Sequence, residues 1–587
     1  MSSTRARSPA TAAAACLAAL TLLAPGYPRA QATVPAPEQA AQEGLRRQEQ
    51  RNREQQKSAQ PQADQLRHEA APLPARELPQ ESPCFTIHEL ALGGRDAGRF
   101  GWLLDAALPY LRRCVGAQGL SFIAAGMDQQ LRDLGYATTR VALPAQNLRA
   151  GQLLVHIEAG RVADIRAVRA DAAPGTPDTP DTQWGTWRNA FPVAAGDILN
   201  VRDLEQGVEN MKRLPSQAVA TRLEPGDAPG SSVLYIERKG GALKDRLRGG
   251  ATLDNSGGAS LGRTQLSANL AFDNPLGLND VVTASLNTNA ERPTATHRSQ
   301  GASISYSLPW GYNLLTLHAS NNRFAQYVQG TTVRFLSSGR SQGAEARLQR
   351  TVLRTASTKV GVYGAVSTRR AISYLDDVEV VIQRRRTTSV EAGLSYKHLF
   401  EKSSLELDLG VRRGMPWHGA QDDFASAREG GLTLRPKVWS LSGAYATDVT
   451  LAGRALQYSV HLRGQHTRDT TLSADQMAIG GRSSVRGFDG DAVLLAENGI
   501  ALRNELTAPV KLWDGMDTAA LLAIDYGRVW GPSDILLTGK KLAGLALGLK
   551  GRRGATQFEV TLATPLAKPD GFATRDLSLY LSLTQGF

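Results

Sequence analysis

The chain of 587 residues has little cysteine and no long apolar run beyond its N-terminus. Three cysteines, none in a C-x-x-C motif, exclude a disulfide-rich scaffold and argue against a zinc or redox site. A helical membrane bundle is excluded because a spanning helix needs roughly 18–20 consecutive apolar residues. Nine scattered histidines have no metal-ligand spacing, and no nucleotide-binding glycine motif occurs. We therefore expect no metal and no cofactor.

The length is too great for one ordinary domain. With 42% hydrophobic residues, 21% charged residues and 57 glycines, the composition leaves two classes, a multidomain soluble protein or a transmembrane β-barrel. A barrel resembles a soluble protein in hydropathy because its lipid-facing and lumen-facing residues alternate along each strand.

The N-terminus predicts the compartment. Arg5 and Arg7 precede an uncharged run rich in alanine and leucine, Thr11 to Ala24, and Ala30-Gln31-Ala32 fits a small-residue cleavage site. This pattern predicts a secretory signal peptide over residues 1–32. The mature protein is then exported from the cytoplasm.

Residues 33–60 are polar, and Glu38 to Lys57 has the composition of a helix with a thin apolar face. This segment is either a disordered tail or a polar helix resting in a wet cavity. Residues 61–80 are rich in proline and predict an extended linker.

Two cysteines remain after signal cleavage, Cys84 and Cys114. In an oxidising periplasm such a pair forms a disulfide. A loop of this size would contribute on the order of 3–4 kcal/mol of stability. Two buried thiols are the alternative.

Residues 81–161 have the strand and helix patterns of a compact α+β domain, and residues 162–239 repeat the same order of elements. The strands that close the two units are similar in sequence, with LVHIE at 154–158 and VLYIE at 233–237. Two copies of one small α+β unit are therefore predicted.

Residues 240–587 alternate between apolar and polar side chains with period two, about sixteen times. In residues 405–411, for example, apolar side chains alternate with Glu406 and Asp408. A soluble sandwich would bury these charges, whereas a membrane barrel directs them into a polar lumen. Tight connections alternate with longer ones, and the last strand ends on Phe587 in the manner of outer-membrane barrels.

Arginines also follow the alternation. Arg384 to Arg386, Arg412 and Arg463 are predicted to face the lumen. A nucleic-acid surface would instead gather its basic residues on one face. We expect a positive lumen potential that acts on polypeptide or lipopolysaccharide.

The longest connection, Asp469 to Glu497, contains Val485-Arg486-Gly487-Phe488, and a loop this long is usually functional. Asp525 lies on the polar face of its strand. An Arg486–Asp525 pair inside the lumen would be a charge-assisted contact that fixes the loop against the wall. The alternative is two loop charges that never meet.

These motifs resemble those of the outer-membrane transporters of two-partner secretion, the TpsB family. Val485 to Phe488 resembles the signature loop tip of barrels preceded by polypeptide-transport-associated (POTRA) repeats. Ala523 to Gly527 resembles the strand motif that receives this tip. The first hairpin of the family's barrel is resembled by Asp254-Asn255 with Gly262-Arg263, followed by Asp273 to Asp280. The resemblance covers the mature chain and is closest to transporters of filamentous-haemagglutinin-like adhesins and haemolysins.

The resemblance implies a membrane all-β fold, with a 16-stranded transmembrane β-barrel preceded by two small α+β (POTRA) domains and an N-terminal helix. The implied divisions are a signal peptide 1–32, a plug helix 33–60, a linker 61–80, POTRA domains 81–161 and 162–239, and a barrel 240–587.

The implied function is export of an unfolded periplasmic exoprotein, filamentous-haemagglutinin-like or haemolysin-like, through the barrel without ATP. The implied location is the outer membrane, with the POTRA domains in the periplasm. Outer-membrane lipid and lipopolysaccharide would surround the barrel, the barrel-assembly machinery would insert it, and no nucleic acid is expected. The implied site residues are structural, and they are Val485, Arg486, Gly487 and Phe488 at the pore loop tip with Asp525 and Gly527 on the barrel wall.

Three alternatives remain. An outer-membrane protein assembly insertase shares the barrel and the loop motif but usually has more repeats and no plug helix. A passive porin needs no periplasmic repeats. A hydrolase would need a nucleophile elbow, and Gly258-Ala-Ser260-Leu-Gly262 fits that pattern. That motif falls in a predicted outer hairpin rather than at a strand-to-helix turn, so we predict no catalytic residue.

Overall fold

The computed structural model describes residues 64–67, 77–170, 179–291, 293–329 and 333–587. Two small α+β domains precede a closed antiparallel β-barrel, which confirms those parts of the predicted fold class. The predicted signal peptide and plug helix lie outside the described residues. Within the described ranges no helix is long and apolar enough to cross a membrane.

The first domain packs one long helix, preceded by a four-residue helix (Leu104–Ala107), against a three-stranded sheet in the order β2-β5-β4, and β1 pairs with β3 beside it. Its elements are β1 (Phe85–Thr86), β2 (Glu89–Gly93), β3 (Cys114–Val115), α1 (Ala117–Asp133), β4 (Arg140–Ala142) and β5 (Gln152–Glu158). In α1 the apolar residues Ile123, Met127 and Leu131 recur every fourth position and are buried in the domain core.

The second domain has the sheet order β6-β8-β7 and one helix. Its elements are β6 (Arg161–Arg169), α2 (Val201–Lys212), β7 (Gln217–Pro225) and β8 (Ser231–Gly240). The side chain of Asn200 caps α2 by accepting a hydrogen bond from the backbone N–H of Arg202 at 2.8 Å. Leu204, Val208 and Met211 of α2 are buried with β7 and β8 in the domain core.

The barrel has sixteen main strands, and each pairs antiparallel with its neighbours until β24 closes on β9. They are β9 (Leu247–Asp254), β10 (Gln265–Asp273), β11 (Val281–Asn289), β12 (Arg298–Trp310), β13 (Asn313–Gln329), β14 (Arg334–Arg354), β15 (Thr358–Leu375), β16 (Arg385–Leu399), β17 (Ser403–Met415), β18 (Lys437–Leu451), β19 (Arg454–His466), β20 (Asn498–Val510), β21 (Asp517–Trp530), β22 (Lys541–Arg553), β23 (Thr556–Ala567) and β24 (Ser578–Gly586).

The alternation predicted from the sequence produces an apolar outer face and a polar inner face. Leu266 and Leu270 of β10 and Leu394 of β16 are exposed on the outside. Short turns face the second α+β domain, and the longer connections lie at the opposite end. With 17, 21 and 18 residues, β13, β14 and β15 exceed the roughly 9–11 residues that a spanning strand needs, so they project beyond the membrane at the end away from the α+β domains.

The prediction that Arg384 to Arg386 all face the lumen is wrong. Leu394 marks the even positions of β16 as the outer face, so Arg385 points inward and Arg386 points outward. Arg384 precedes the strand and pairs with Glu379 at 2.7 Å. Since side chains alternate along a strand, three consecutive arginines cannot share one face. The same alternation directs Arg412 and Arg463 inward.

Candidate functional site

The connection between β19 and β20 folds back against the inner wall of the barrel. Its strands Met477–Ile479 and Leu494–Ala496 pair antiparallel. Ile479, Val485 and Phe488 are fully buried in an apolar cluster that includes wall residues of β20, β21 and β22. The loop therefore has an apolar core of its own and is held by burial as well as by charge.

Arg486 at the loop tip contacts Asp525 on β21. Its Nε donates to Asp525 Oδ2 at 2.8 Å, its second guanidinium nitrogen donates to Oδ1 at 3.0 Å, and its backbone N–H donates to Oδ2 at 2.9 Å. Another guanidinium nitrogen donates to Glu505 Oε2 on β20 at 2.7 Å. We call Arg486, Asp525 and Glu505 the tip anchor. Asp525 is 1% exposed, so this paired charge is desolvated and its geometry is fixed by two planar groups.

Three glycines let the loop approach the wall closely. Gly487 has φ +108°, and a Cβ there would meet the Thr564 carbonyl oxygen at 2.5 Å. A Cβ on Gly544 of β22 would lie 1.7 Å from the carbonyl oxygen of Arg486. A Cβ on Gly527 would lie 2.8 Å from Val485. The predicted wall residues Asp525 and Gly527 therefore act differently, since one binds the tip and the other leaves space for it.

The loop also contacts β24 and the connection that follows β9, at the place where the barrel closes. The Tyr580 hydroxyl on β24 accepts from Gly487 N–H at 3.1 Å and donates to the Phe488 carbonyl at 2.8 Å. Asp491 binds Arg263 of the first hairpin at 2.5 Å. Strands β9 and β24 pair over only five residues, so the loop reinforces the shortest pairing between main barrel strands.

Sequence reasoning missed Glu505 and Tyr580. Glu505 is paired in register with Ala523, two residues before Asp525, and it lies on the lumen face of its strand. In the sequence, Glu505 is a carboxylate on the polar face of a strand, and many strands of the barrel have one, so the pattern did not single it out. Tyr580 had no signal of its own, because its role depends on pairing between the two ends of the barrel sequence.

A second cluster of charges joins the second α+β domain to the barrel. Arg354 at the end of β14 donates to Glu209 Oε2 of α2 at 2.7 Å and to Gln206 Oε1 at 2.9 Å. Lys359 at the start of β15 binds the other oxygen of Glu209. Glu205, also on α2, lies 3.9 Å from Arg354. We call these five residues the junction network.

Further hydrogen bonds surround the junction network. Asn210 donates to the Gly311 carbonyl at 2.7 Å, and Trp184 Nε1 donates to the Asn274 carbonyl at 2.9 Å. Arg213 donates to Ser307 Oγ at 2.7 Å, and burial lowers its pKa to about 10, so the guanidinium stays charged at neutral pH. Helix α2 is thus fixed to the turn end of the barrel along its length.

Cys84 and Cys114 are joined by a disulfide, with Cα atoms 5.3 Å apart. The bond connects the residue before β1 to β3, where Thr86 pairs with Cys114. Over the described part of the chain, no group of three or more histidine, cysteine or carboxylate side chains could hold a metal ion.

A model of the haemolysin secretion/activation protein family ShlB/FhaC/HecB matches residues 230–551. A ShlB-type POTRA model matches residues 85–160, and a further POTRA model matches 164–225. The chain belongs to this family of outer-membrane transporters. The α+β domains are therefore POTRA domains, here POTRA1 and POTRA2, and they lie in the periplasm while the barrel lies in the outer membrane.

The relatives are transporters. The outer membrane transporter CdiB-2 of Burkholderia pseudomallei (strain 1026b) is 34% identical over 544 residues, 89% of each chain. The hemolysin transporter protein ShlB of Serratia marcescens is 25% identical and covers 83% of each chain. The solved structure of CdiB from Escherichia coli has a TM-score of 0.79 at 28% identity, over 94% of this chain and 100% of that one. The predicted resemblance to two-partner secretion transporters is confirmed.

Proposed function

We propose that this protein exports a large exoprotein of the haemolysin or adhesin type, which crosses the barrel unfolded and folds outside the cell. Folding beyond the membrane would bias movement outward without ATP. The protein itself performs no chemical step. Lipopolysaccharide would surround the barrel, and the barrel-assembly machinery would insert it.

The observation that carries the proposal is the outer edge of β7 in POTRA2, which pairs with no other strand in the described part of the chain. Gly241 N–H donates to the Ser216 carbonyl, and Gly226 N–H donates to the Ser231 carbonyl. In an antiparallel pair every second residue bonds to the partner strand, so these two bonds show that the even-numbered residues of β7 direct their backbone groups toward β8. The backbone N–H groups of the odd-numbered residues Val219, Thr221 and Leu223 therefore point away from β8. An extended segment of the partner would add to this edge through main-chain hydrogen bonds.

The position of β7 suits a handover to the pore. Ser216, the residue before β7, lies next to the barrel, and its N–H donates to Asp273 Oδ2 at 3.2 Å. A strand added along β7 would therefore lead toward the periplasmic mouth.

Two other edges are less suited to adding a strand. The outer edge of β6 is covered by the chain's own backbone, since Arg169 N–H donates to Thr179 and Val162 N–H donates to Asp197. In POTRA1 the short strand β4 has the N–H of Val141 bound to Asp128 at 2.9 Å.

In the described part of the chain β2 pairs only with β5, so its outer edge is a second candidate for first capture of the partner.

We also propose that residues 33–60 plug the resting pore. Support comes from the short described stretch that follows them. Asp64 Oδ2 lies 2.9 Å from Nζ of Lys397, which faces the lumen near the turn end of β16. Arg67 N–H donates to the Ala356 carbonyl in the turn between β14 and β15 at 2.8 Å. A chain held at these points is placed to enter or leave the periplasmic mouth.

Deleting residues 38–57 should raise channel conductance in planar bilayers, and unchanged conductance would contradict the plug.

The decisive experiment is a secretion assay with Thr221→Pro. Proline at this position removes an outward N–H and leaves the β7–β8 ladder intact, so POTRA2 should fold normally. We expect several-fold less partner in the medium when this variant is co-expressed with the exoprotein encoded beside it. Thr221→Val has a similar shape and retains the N–H, so it should export at the unsubstituted level.

Three results would contradict the proposal at different levels. Equal export by Thr221→Pro and Thr221→Val would exclude the β7 edge. Partner in the medium without this chain would overturn the transporter function. A general loss of outer-membrane proteins in a strain lacking the chain would favour the assembly insertase.

A further inference from the structure

A band of six basic side chains runs around the outside of the barrel near its extracellular end. Strand register places them in three directly opposed pairs. All six are exposed. The pairs are Arg323 with Arg340, Arg370 with Arg386, and Arg413 with Lys437. We call this set the basic belt; it spans β13 to β18.

The outward direction of the belt follows from alternation. Arg323 shares its face of β13 with Leu317, and Arg386 shares its face of β16 with Leu394, both of which are exposed on the outer surface. The longer loops lie beyond the belt, and the turns that contact POTRA2 lie at the other end of the same strands. The belt is therefore on the cell-surface side of the barrel.

Like charges directly opposite one another in a sheet are destabilising unless something neutralises them. Among the described residues no carboxylate forms an ion pair with Arg340, Arg370, Arg386, Arg413 or Lys437. Arg340 Nε binds only the Asn321 amide oxygen at 3.1 Å. The carboxylate of Glu379 has an electrostatic interaction with Arg370, but its ion pair is with Arg384. Two of the pairs, Arg370 with Arg386 and Arg413 with Lys437, therefore have no ion-paired carboxylate in the described part of the chain, and in the third pair the same holds for Arg340.

The height of the belt identifies its surroundings. Arg350 lies on the same outer face of β14 as Arg340, ten positions nearer the periplasm. At about 3.3 Å per residue and a tilt of about 40°, ten positions cover roughly 25 Å along the barrel axis, which is the height of the apolar band of such barrels. Between these two arginines the same face carries Gln342, Ala344, Ala346 and Leu348. The belt therefore lies where acyl chains give way to headgroups of the outer leaflet.

We infer that the basic belt binds the phosphate groups of lipopolysaccharide in the outer leaflet. Guanidinium groups bind phosphate through paired, charge-assisted hydrogen bonds, and two opposed cations can share one phosphate. Trp439 stands next to Lys437, with the Lys437 Nζ 5.2 Å from the ring, and adds an amphipathic side chain at the same level. The inference rests on the outer-membrane location of the barrel and is independent of its cargo.

The test uses full-length protein purified in detergent and titrated with diphosphoryl lipid A, with bound lipid counted by native mass spectrometry. The variant Arg340→Gln/Arg370→Gln/Arg413→Gln removes one charge from each pair. We expect about tenfold weaker lipid A binding, because three charge-assisted contacts are lost. Arg350→Gln is the matched control, since it removes a charge from the same strand and face at the opposite boundary, and its affinity should not change.

Two further titrations distinguish the phosphate of a lipid from free inorganic phosphate as the ligand of the belt. Lipid A without phosphates should bind the unsubstituted protein as weakly as the triple variant does. Excess inorganic phosphate should leave lipid A bound, and full displacement would assign the belt to free anions instead. Equal lipid A affinity of the triple variant and unsubstituted protein would overturn the inference. Heat-modifiable migration on gels, a property of folded barrels, shows whether the triple variant has folded.

Discussion

The tip anchor and the junction network are both buried charge clusters on the barrel, but they distribute their contacts differently. In the tip anchor one arginine supplies three hydrogen bonds to Asp525, and the next cation, Arg503, lies 3.9 Å away. In the junction network Glu209 has two cationic partners, Arg354 and Lys359. The loop therefore depends on one side chain, whereas the attachment of POTRA2 is shared among several.

The largest effect should come from Arg486→Ala. It leaves the carboxylate of Asp525 buried without its main partner, which costs about 3–5 kcal/mol when one half of a buried pair is removed. We expect export to be lost and the loop to become sensitive to protease. Arg354→Ala should reduce export less, because Lys359 still binds Glu209. Equal losses in the two variants, measured as partner in the medium, would remove the distinction between the clusters.

The next effect tests whether the tip needs space as well as charge. Gly544→Ala places a methyl group against the carbonyl oxygen of Arg486, so the tip must shift and export should fall several-fold. Gly364→Ala is the control, because a Cβ at that barrel position meets nothing within 4 Å. The comparison is by secretion assay and by the protease sensitivity of the loop. A Gly544→Ala protein that behaves like Gly364→Ala would mean that Arg486 is held by charge alone.

A smaller effect is expected from Glu209→Gln, which keeps the shape of the side chain and removes its charge. Arg354 retains Gln206 as a partner, so we expect α2 to stay docked but to move more. Spin labels on POTRA2 and on a periplasmic turn should report a broader distance distribution. Glu224→Gln changes a more exposed carboxylate of the same domain and should leave the distribution unchanged. An identical distribution for both variants would show that the charge of Glu209 is not needed to hold POTRA2.

The smallest effect is expected at the link between the POTRA domains. Asp96 accepts two hydrogen bonds from Arg161 at 2.8 and 2.7 Å, but the Arg161 side chain is 36% exposed. Such a pair is worth about 0.2–1 kcal/mol. Asp96→Asn should therefore change export by at most a factor of about five, given that 1.4 kcal/mol is tenfold. A loss as large as that of Arg354→Ala would show that the POTRA1–POTRA2 angle controls export.

Much of the fold was predictable because its signals are local. Period-two alternation identified the barrel, and the loop motif around Arg486 with Asp525 on a polar face identified the tip contact. The junction network was not predictable, because Glu209 and Arg354 are 145 positions apart and each resembles an ordinary charged residue of its helix or strand. Contacts of this kind depend on how one domain is placed on another.

The sequence by itself determined that the chain is exported, that two α+β units precede a sixteen-stranded barrel, and that a long loop carries a motif for the barrel wall. Only the tertiary structure decided which arginines face the lumen and which face lipid. It also decided that Glu505 and Tyr580 complete the loop contacts and that, among the described strands, β7 pairs with β8 alone. The physical reason is that a shift of one residue in strand register reverses the direction of a side chain, and register is set by pairing with distant strands.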